Sequence, residues 1–273
     1  MRRFILPPAW SGEGILKLDG RQSKRLLAVL RLKAGDTFPG MDASGAFYLC
    51  TLQRISGDEA ELKVERDNAA GQAPAEDVRH GKLAEPVMSA SIAYKLPEVV
   101  LAPGLLKGQK LDDVVRFAAE IGVHTIQPLA TARSLAQDSG VQKLQRYERI
   151  IVEALGQSGS CVPTRILPPV SLDGFLVEYP AGPDKADTCA LVCHERAAEG
   201  QGLHTLLAPE CKRVIVCTGP EGGFTEEEIG RFTACGYRTV WLGPSVLRAE
   251  TAAFAALAAI RVLLVEHETW QAK

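Results

Sequence analysis

Two glycine-containing segments in the C-terminal half of the chain hold the polar residues whose types and spacing could do chemistry. The first segment, Thr218–Glu228, reads Thr-Gly-Pro-Glu-Gly-Gly-Phe-Thr-Glu-Glu-Glu and follows the apolar run Val214–Cys217. Its glycines permit positive φ and a close approach of the backbone to a ligand. Thr225 and Glu228 have the spacing of a capping box, so a helix is predicted to begin there. The segment is predicted to be a strand-to-helix loop, either a tight turn alone or one wall of a binding site.

The acidic residue in this loop restricts the ligands that would suit it. The chain lacks the Gly-x-x-x-x-Gly-Lys-Ser/Thr and Gly-x-Gly-x-x-Gly patterns, and Glu221 would repel a phosphate group. The missing dinucleotide pattern also argues against a nicotinamide-dependent dehydrogenase. A carboxylate within a glycine loop instead suits the hydroxyls of a ribose or a cationic ligand.

The second segment, Leu242–Thr251, reads Leu-Gly-Pro-Ser-Val-Leu-Arg-Ala-Glu-Thr and leads into an alanine-rich run, Ala252–Ile260. This run is predicted to be a helix that packs closely on the sheet or on a partner subunit. Arg248 and Glu250 lie at its start, although a cation is unfavourable near a helix N-terminus. A residue that breaks a local rule indicates either a functional role or a salt bridge.

The elements that must position these loops alternate between strand and helix. Apolar residues at helical spacing predict helices over Lys110–Ile121, ended by Gly122, and over Val141–Gln157. Strands are predicted at Ser89–Tyr94, Thr125–Leu129, Ala190–Cys193, Val214–Cys217 and Thr239–Leu242. Such alternation is typical of an α/β fold with a parallel sheet, in which ligands bind beyond the carboxyl ends of the strands. Both glycine loops follow strands at that edge.

The first part of the chain has a different pattern. One helix is predicted over 21–31, and tight turns separate predicted strands at Thr37–Met41, Ala46–Ile55 and Glu61–Glu65. Regularly spaced short strands favour a small β-barrel. The predicted organisation is therefore a β-barrel domain over 1–72, a linker with little periodicity over 73–86, and an α/β domain over 87–273.

Composition sets the broad class. The chain of 273 residues is 46% hydrophobic with a net charge of −2, which is typical of a globular protein with a sizeable core. Seven cysteines without a paired framework, and an N-terminal apolar run too short for a signal peptide, predict a cytoplasmic protein. The spacing of Cys189, Cys193 and His194 is not that of a zinc site, so no metal is predicted. Charges interrupt the C-terminal alanine-rich segment, so no membrane span is predicted.

The N-terminal quarter is mildly basic. Residues 1–68 hold 11 basic and 9 acidic side chains, and the window 21–33 contains five of the basic ones and no acid. Such a cluster could contact a phosphate backbone, or it could be a solvated helix face.

The paired segments Gly219–Glu228 and Leu242–Ala252 resemble those of the SPOUT-class methyltransferases that methylate N3 of a uridine in bacterial small-subunit (16S) ribosomal RNA. The likeness extends over most of the chain. The N-terminal motifs Met1–Phe4 and Leu26–Asp36 resemble the PUA-like domain of that family. Its middle motifs are matched by Leu106–Asp112, Ala119–Val123, Arg133–Ser134 and Gln157–Gly159.

The resemblance implies a fold that general rules would not predict. The C-terminal domain would contain a deep trefoil knot, although protein chains are rarely knotted, and the protein would act as a homodimer. S-adenosylmethionine would bind in the knot. This cofactor has a sulfonium cation and no phosphate, so it suits a glycine loop that carries Glu221.

The resemblance also implies site residues. The cofactor would be bound by Leu191, His194, Glu195, Thr218, Gly219, Pro220, Glu221, Gly222, Gly223, Leu242, Gly243, Ser245, Val246 and Leu247. Arg248 would stabilise the charge that develops on O2 or O4 when uridine N3 loses its proton, with Glu250 orienting Arg248 and Glu221 meeting the ribose. The ribosomal RNA would be contacted by Arg2, Arg3, Arg21, Lys24, Arg25 and Arg31.

Several positions differ from the family pattern, namely Phe117, Ala119, Gly156, Ser160, Ser245 and Ala249. Two alternatives therefore stay open beside methylation of uridine N3. The chain could be a divergent paralogue that methylates another RNA position, or an RNA-binding ribosome-assembly module with little catalysis. Binding of S-adenosylmethionine separates the enzyme from the module.

Overall fold

The computed structural model describes residues 3–8, 10, 12–18, 20–29, 31–57, 59–67, 96–134, 140–182, 185, 187–196, 202–207 and 211–270. The chain divides into two compact units, one of residues 1–95 with 155–163 and one of residues 96–154 with 164–273. The predicted linker over 73–86 and the predicted strand Ser89–Tyr94 lie outside the described residues. The boundaries at 72 and 87 stay predictions.

The first unit contains a five-stranded sheet in the order β1-β3-β4-β5-β2. Its strands are β1 Phe4–Ile5, β2 Gly14–Leu18, β3 Thr37–Met41, β4 Phe47–Ser56 and β5 Glu59–Arg66. The pairs β2/β5, β3/β4 and β4/β5 are antiparallel, and β1 pairs with β3 in parallel. Alternate residues of β5, namely Ala60, Leu62 and Val64, are buried, as expected for a sheet with one face on a core. Three of these strands were predicted, and β1 and β2 were not.

The helical segment of this unit is shorter than predicted. Helix α1, Gly20–Lys24, continues as a π-helical turn over Arg25–Val29 that carries the buried Leu26. Arg31 then has a φ of 56°, in the left-handed region that few side chains adopt. The Leu32 amide donates to the Leu26 carbonyl at 3.1 Å, which closes the segment. The helix predicted to reach residue 31 therefore ends before it.

The second unit is built on a six-stranded parallel sheet in the order β13-β11-β12-β6-β7-β9. Its strands are β6 Glu98–Pro103, β7 Thr125–Ile126, β9 Arg165–Ile166, β11 Thr188–Cys193, β12 Arg213–Thr218 and β13 Arg238–Val240. A separate parallel pair is formed by β8 Leu129–Ala130 and β10 Val170–Ser171. The strand predicted over Thr125–Leu129 is divided between the two sheets, because Pro128 has no amide hydrogen for continued pairing. The predicted α/β fold with a parallel sheet is confirmed.

Helices flank this sheet. They are α2 Lys110–Ile121, α3 Val141–Ser158, α4 Leu172–Glu178, α5 Leu203–Leu206, α6 Glu226–Ala234 and α7 Ala249–Trp270. Gly122 ends α2 with a φ of 91°, as predicted. Helix α7 extends well beyond the predicted Ala252–Ile260 and packs on α2, where Phe254 meets Phe117 edge to face. No helix within the described ranges is long and apolar enough to cross a membrane.

Candidate functional site

The carboxyl ends of β11, β12 and β13 lie side by side, and the loops that follow these strands line one cavity of about 340 Å³. Adjacent parallel strands end at the same edge of a sheet, so their loops converge. Twelve of the predicted cofactor-binding residues line this cavity, namely His194, Glu195, Gly219, Pro220, Glu221, Gly222, Gly223, Leu242, Gly243, Ser245, Val246 and Leu247. The structure therefore brings together three loops that are separated in the sequence.

Two predicted cofactor residues lie below the cavity. Leu191 in β11 and Thr218 at the end of β12 are each 1% exposed and are absent from the cavity lining. The Thr218 carbonyl accepts a hydrogen bond of 2.7 Å from the Gly104 amide, at the end of the neighbouring strand β6. Their predicted contact with the cofactor therefore has no support in the lining and stays a prediction.

Close backbone packing explains the glycines of the first loop. Gly223 has a φ of 68°, and its amide closes a turn on the Pro220 carbonyl at 2.8 Å. A Cβ on Gly219 would lie 3.0 Å from the Gly223 Cα atom. A Cβ on Gly104, which faces the loop from β6, would lie 2.5 Å from the Pro220 nitrogen. Glycine is required at these places because backbone meets backbone.

The predicted capping box begins α6, and its glutamate makes one further hydrogen bond that was not predicted. Thr225 Oγ1 accepts from the Glu228 amide at 3.1 Å, and Glu228 Oε2 accepts from the Thr225 amide at 2.8 Å. The second oxygen, Oε1, accepts from the Ala132 amide at 2.8 Å, and Glu228 is only 5% exposed. One buried carboxylate thereby ties the segment after β8 to the glycine loop.

Replacement of Glu228 by alanine tests this tie. Two amides in part-buried hydrogen bonds, those of Thr225 and Ala132, would lose their acceptor, and each group left unsatisfied away from water costs about 1–3 kcal/mol. We expect a free energy of unfolding lower by at least about 2 kcal/mol in chemical denaturation. Glu227→Ala, an exposed neighbour in the same helical turn, is the control and should change it by less than about 0.5 kcal/mol. Equal effects of the two substitutions would contradict the assignment.

Arg133 lines the cavity, although it was not among the predicted site residues. Its Nη1 donates to the carbonyl of Gly222 at 2.7 Å and to that of Phe224 at 3.4 Å. The sequence did contain a signal for Arg133, because the Arg133–Ser134 pair belongs to the motifs that carried the family resemblance. Cys193, which the family resemblance also places in the pocket, lines the cavity too. Other lining residues that were not predicted are Phe224, Glu226, Trp241, Pro244, Ala249 and Ala252.

Glu221 has partners that the sequence did not predict. Its Oε1 accepts from the Lys107 amide and from Lys110 Nζ, each at 3.0 Å. Burial raises the pKa of Glu221, but hydrogen bonds from Lys107, from its own amide and from Lys110 lower it more, so the pKa lies below its usual value. The carboxyl group is therefore ionised at neutral pH and held by Lys110, at the start of α2, and by the Lys107 amide just before it.

The two predicted catalytic residues are placed differently. Arg248 is exposed beside the cavity, between the lining residues Leu247 and Ala249. Glu250 faces α2, where its Oε2 is buried and lies 3.9 Å from Lys110 Nζ. Within the described part of the chain no ion pair joins Arg248 to Glu250, so the predicted orienting role has no contact to support it and stays a prediction.

The predicted RNA contacts are only partly described. Lys24 and Arg31 are exposed, Arg2 lies outside the described residues, and the side chains of Arg21 and Arg25 are not described. The RNA contact predicted for Arg3 is wrong. Arg3 is only 6% exposed, and its Nη1 donates to the carbonyl of Ser160 at 3.2 Å. Its guanidinium also lies 4.8 Å from the centre of the Phe47 ring. This buried arginine fastens residues 155–163 to the first sheet and is not available to RNA.

The charges around the cavity favour a particular ligand chemistry. Its lining contains the carboxylates Glu195, Glu221 and Glu226 and one guanidinium, Arg133, which already binds two carbonyls. Among the described residues no three metal-ligating side chains cluster here or elsewhere. A cavity with this excess of acid suits a cationic, hydroxyl-bearing ligand better than a phosphate.

Comparison with known sequences gives a consistent result. A family model described as an RNA methyltransferase domain matches residues 94–261. A protein of Synechocystis named ribosomal RNA small subunit methyltransferase E is 33% identical over 267 residues, which cover 96% of this chain and 78% of that protein. A Bacillus subtilis protein of the same name is 27% identical over 251 residues, covering 89% and 88% of the two chains.

Solved structures share the fold. Ribosomal RNA small subunit methyltransferase E from Neisseria gonorrhoeae, bound to S-adenosylmethionine, superposes with a TM-score of 0.74 at 24% identity and covers 96% of this chain and 98% of its own. A Legionella pneumophila protein in complex with the same cofactor has a TM-score of 0.73 at 23% identity, covering 96% and 97%. This chain thus shares its α/β architecture with proteins whose structures were solved with bound S-adenosylmethionine.

Proposed function

This chain belongs to the RNA methyltransferase family, and we propose that it transfers a methyl group from S-adenosylmethionine to N3 of a uridine in small-subunit (16S) ribosomal RNA. The observation that carries the proposal is the single cavity that collects the loops after β11, β12 and β13. It is lined by glycine backbone and carboxylates, which suit a nucleoside with a sulfonium cation. This activity would place the protein in ribosomal RNA processing during ribosome biogenesis.

Each wall of the cavity has a proposed task. The backbone of the second loop, Leu242–Leu247, would bind the adenine through its amides and carbonyls, and the first loop, Gly219–Gly223, would close over the ribose. The bound cofactor supplies an electrophilic methyl group on sulfur. The ionised Glu221 and its neighbours leave the cavity negative, which favours the sulfonium over the neutral product and so favours cofactor entry.

Arg248 is the proposed catalytic residue. Uridine N3 becomes nucleophilic only when it loses its proton, and the negative charge then spreads to O2 and O4 of the ring. A guanidinium stabilises that charge through donated hydrogen bonds, and the exposed position of Arg248 beside the cavity allows it to meet an RNA base. Glu250, whose Oε2 is buried near Lys110 of α2, would influence the reaction through its neighbours.

The finer architecture is part of the same proposal. We propose that the loops after β12 and β13 form the deep trefoil knot of the SPOUT fold, that the five-stranded sheet belongs to a PUA-like RNA-binding barrel over 1–72, and that a linker over 73–86 leads to the methyltransferase domain over 87–273. The protein would work as a homodimer in the cytoplasm without a bound metal. Exposed apolar residues near the cavity, Trp241 and Val246, support a covered surface there.

Calorimetric titration tests the cofactor. We expect saturable binding of S-adenosylmethionine with about one site per chain, and weaker binding of ATP, because the acidic cavity opposes phosphates. Chains that bind RNA but no S-adenosylmethionine would favour the ribosome-assembly module. Tight ATP binding would contradict the assignment of the cavity.

The substrate needs a separate measurement. In cells that lack this protein, mass-spectrometric mapping of small-subunit ribosomal RNA should show the loss of one 3-methyluridine, which returns when the gene is restored. Unchanged 3-methyluridine with another methylated base lost would favour the divergent paralogue. No change at any position would contradict the enzyme assignment.

A further inference from the structure

The ammonium group of Lys110 lies between two carboxylates from distant parts of the chain. Lys110 Nζ is 3.0 Å from Glu221 Oε1 in the first loop and 3.9 Å from Glu250 Oε2 in the first turn of α7. The side chains of Lys110, Glu221 and Glu250 are 39%, 25% and 20% exposed, so water screens these charges only in part. Three segments meet at this ammonium, and two of them carry residues that line the cavity.

The position of Lys110 within its own helix is unfavourable. It is the first residue of α2, where a cation opposes the helix dipole, and no side chain caps this end of the helix. The usual preference is met by Asp112 and Asp113 in the same turn. The helix position therefore does not favour a lysine, whereas the contacts with Glu221 and Glu250 do.

Glu250 in turn depends on the ammonium group of Lys110. Its Oε2 is buried and accepts no hydrogen bond from the described residues, and the ammonium of Lys110 lies 3.9 Å from it. A buried carboxylate oxygen without a hydrogen bond is costly, so the nearby ammonium is what makes this position tolerable. Without that charge, Glu250 and Glu221 would face each other across the space that Lys110 occupies, and their repulsion would push the loop away from α7.

We propose that Lys110 is a positioning residue that holds the first glycine loop and the start of α7 at the spacing required to bind the cofactor. The inference rests on the proposed function of the cavity, since it names what the spacing serves. Lys110 need not touch the ligand. It acts through Glu221, which lines the cavity, and through Glu250, whose neighbours Ala249 and Ala252 line it.

Electrostatics alone predicts that removing the charge of Lys110 would strengthen the binding of S-adenosylmethionine. Removing a cation leaves the region of the cavity more negative, and this should attract a sulfonium cation more strongly. If Lys110 instead maintains the spacing of the two walls, its removal should weaken binding in spite of the more favourable charge. The sign of the change in affinity therefore separates the two effects.

The test compares Lys110→Met with Lys110→Arg and with Lys212→Met. Methionine is unbranched, one heavy atom shorter than lysine and uncharged, and its helix propensity is similar. Lys212 precedes β12 at the amino end of that strand, away from the cavity. Its side chain is 81% exposed and pairs with Asp187 at 3.7 Å, so it serves as the control lysine.

We expect Lys110→Met to raise the Kd and the KM for S-adenosylmethionine by about tenfold, a loss of about 1.4 kcal/mol, with kcat changed less than about threefold. Lys110→Arg should restore most of the affinity, and Lys212→Met should leave it unchanged.

Hydrogen exchange of the ligand-free protein gives a readout that does not depend on the cofactor. The Gly223 amide donates to Pro220 and the Ala252 amide to Arg248, each at 2.8 Å, so both report on the two walls. In Lys110→Met both amides should exchange faster, while amides in the middle of β12 should not. A Kd that is unchanged or lower, or exchange that stays at the wild-type rate, overturns the proposal. If the wild-type protein binds no S-adenosylmethionine, the proposed function fails, and exchange still decides whether Lys110 holds the walls.

A double-mutant cycle identifies the partners. If Lys110 acts through Glu250, then Lys110→Met combined with Glu250→Gln should raise the Kd less than the product of the two single effects, because the glutamine removes the uncompensated charge. Multiplicative effects would mean that Lys110 and Glu250 act independently, which would also overturn the proposed coupling of the two walls.

Discussion

Arg248→Ala is expected to lower kcat for methylation of small-subunit ribosomal RNA by about 10²- to 10³-fold, the usual effect of removing one donor that stabilises a developing oxyanion. In the proposed site the exposed Arg248, beside the cavity, would meet the uracil oxygens, whereas the backbone of the second loop would bind the cofactor. The Kd for S-adenosylmethionine should therefore change less than about threefold. Single-turnover transfer of a radiolabelled methyl group measures the rate, and calorimetry measures the affinity.

Two further variants make this result interpretable. Arg248→Lys keeps the charge but loses the paired donors of the guanidinium, so an intermediate rate is expected. Arg116→Ala removes an exposed arginine of α2 that pairs with Asp113 at 2.8 Å and should leave the rate unchanged. Full turnover by Arg248→Ala would remove this residue from the proposed mechanism. A matching loss of cofactor affinity would instead assign it to binding.

Gly104→Ala is expected to lower the free energy of unfolding by about 1–3 kcal/mol and to weaken cofactor binding at least about tenfold. The new Cβ would lie 2.5 Å from the Pro220 nitrogen and 3.0 Å from the Gly219 carbonyl carbon. These neighbours are backbone or ring atoms, so the clash cannot be relieved by a rotation of a flexible side chain. The glycine loop would have to move away from the end of β6, which changes the cavity that it lines.

The matched substitution, Gly230→Ala, should raise the free energy of unfolding instead of lowering it. Gly230 lies within α6, and a Cβ there would meet no atom within 4 Å. Gly230→Ala is therefore expected to stabilise the protein by about 0.5–1 kcal/mol, because alanine loses less conformational freedom in a helix. Thermal unfolding with and without S-adenosylmethionine measures both effects. A Gly104→Ala protein as stable as the wild type, with unchanged affinity, would show that the loop does not depend on this contact.

The successful predictions came from patterns within short stretches of chain. The apolar runs of β11 and β12, the stripe of α2 with Gly122 at its end, and the capping box of α6 each depend on residues a few positions apart. Where local signals were weak, the predictions missed elements. Strands of two residues such as β9 and β10 are too short to show a period, and the break at Pro128 divided one predicted strand into two.

The sequence alone determined the class of fold and the kind of site. Alternating apolar runs specify a parallel α/β sheet, and two glycine loops that follow its strands predict a binding edge with an acidic residue in it. Tertiary structure decided which residues meet there. Lys110 and Glu221 are 111 positions apart, and residues 155–163 cover Arg3 from more than 150 positions away. Local patterns are set by steric and hydrogen-bonding preferences of neighbouring residues. Contacts between distant residues depend on strand order and on burial, and these are fixed only when the whole core packs.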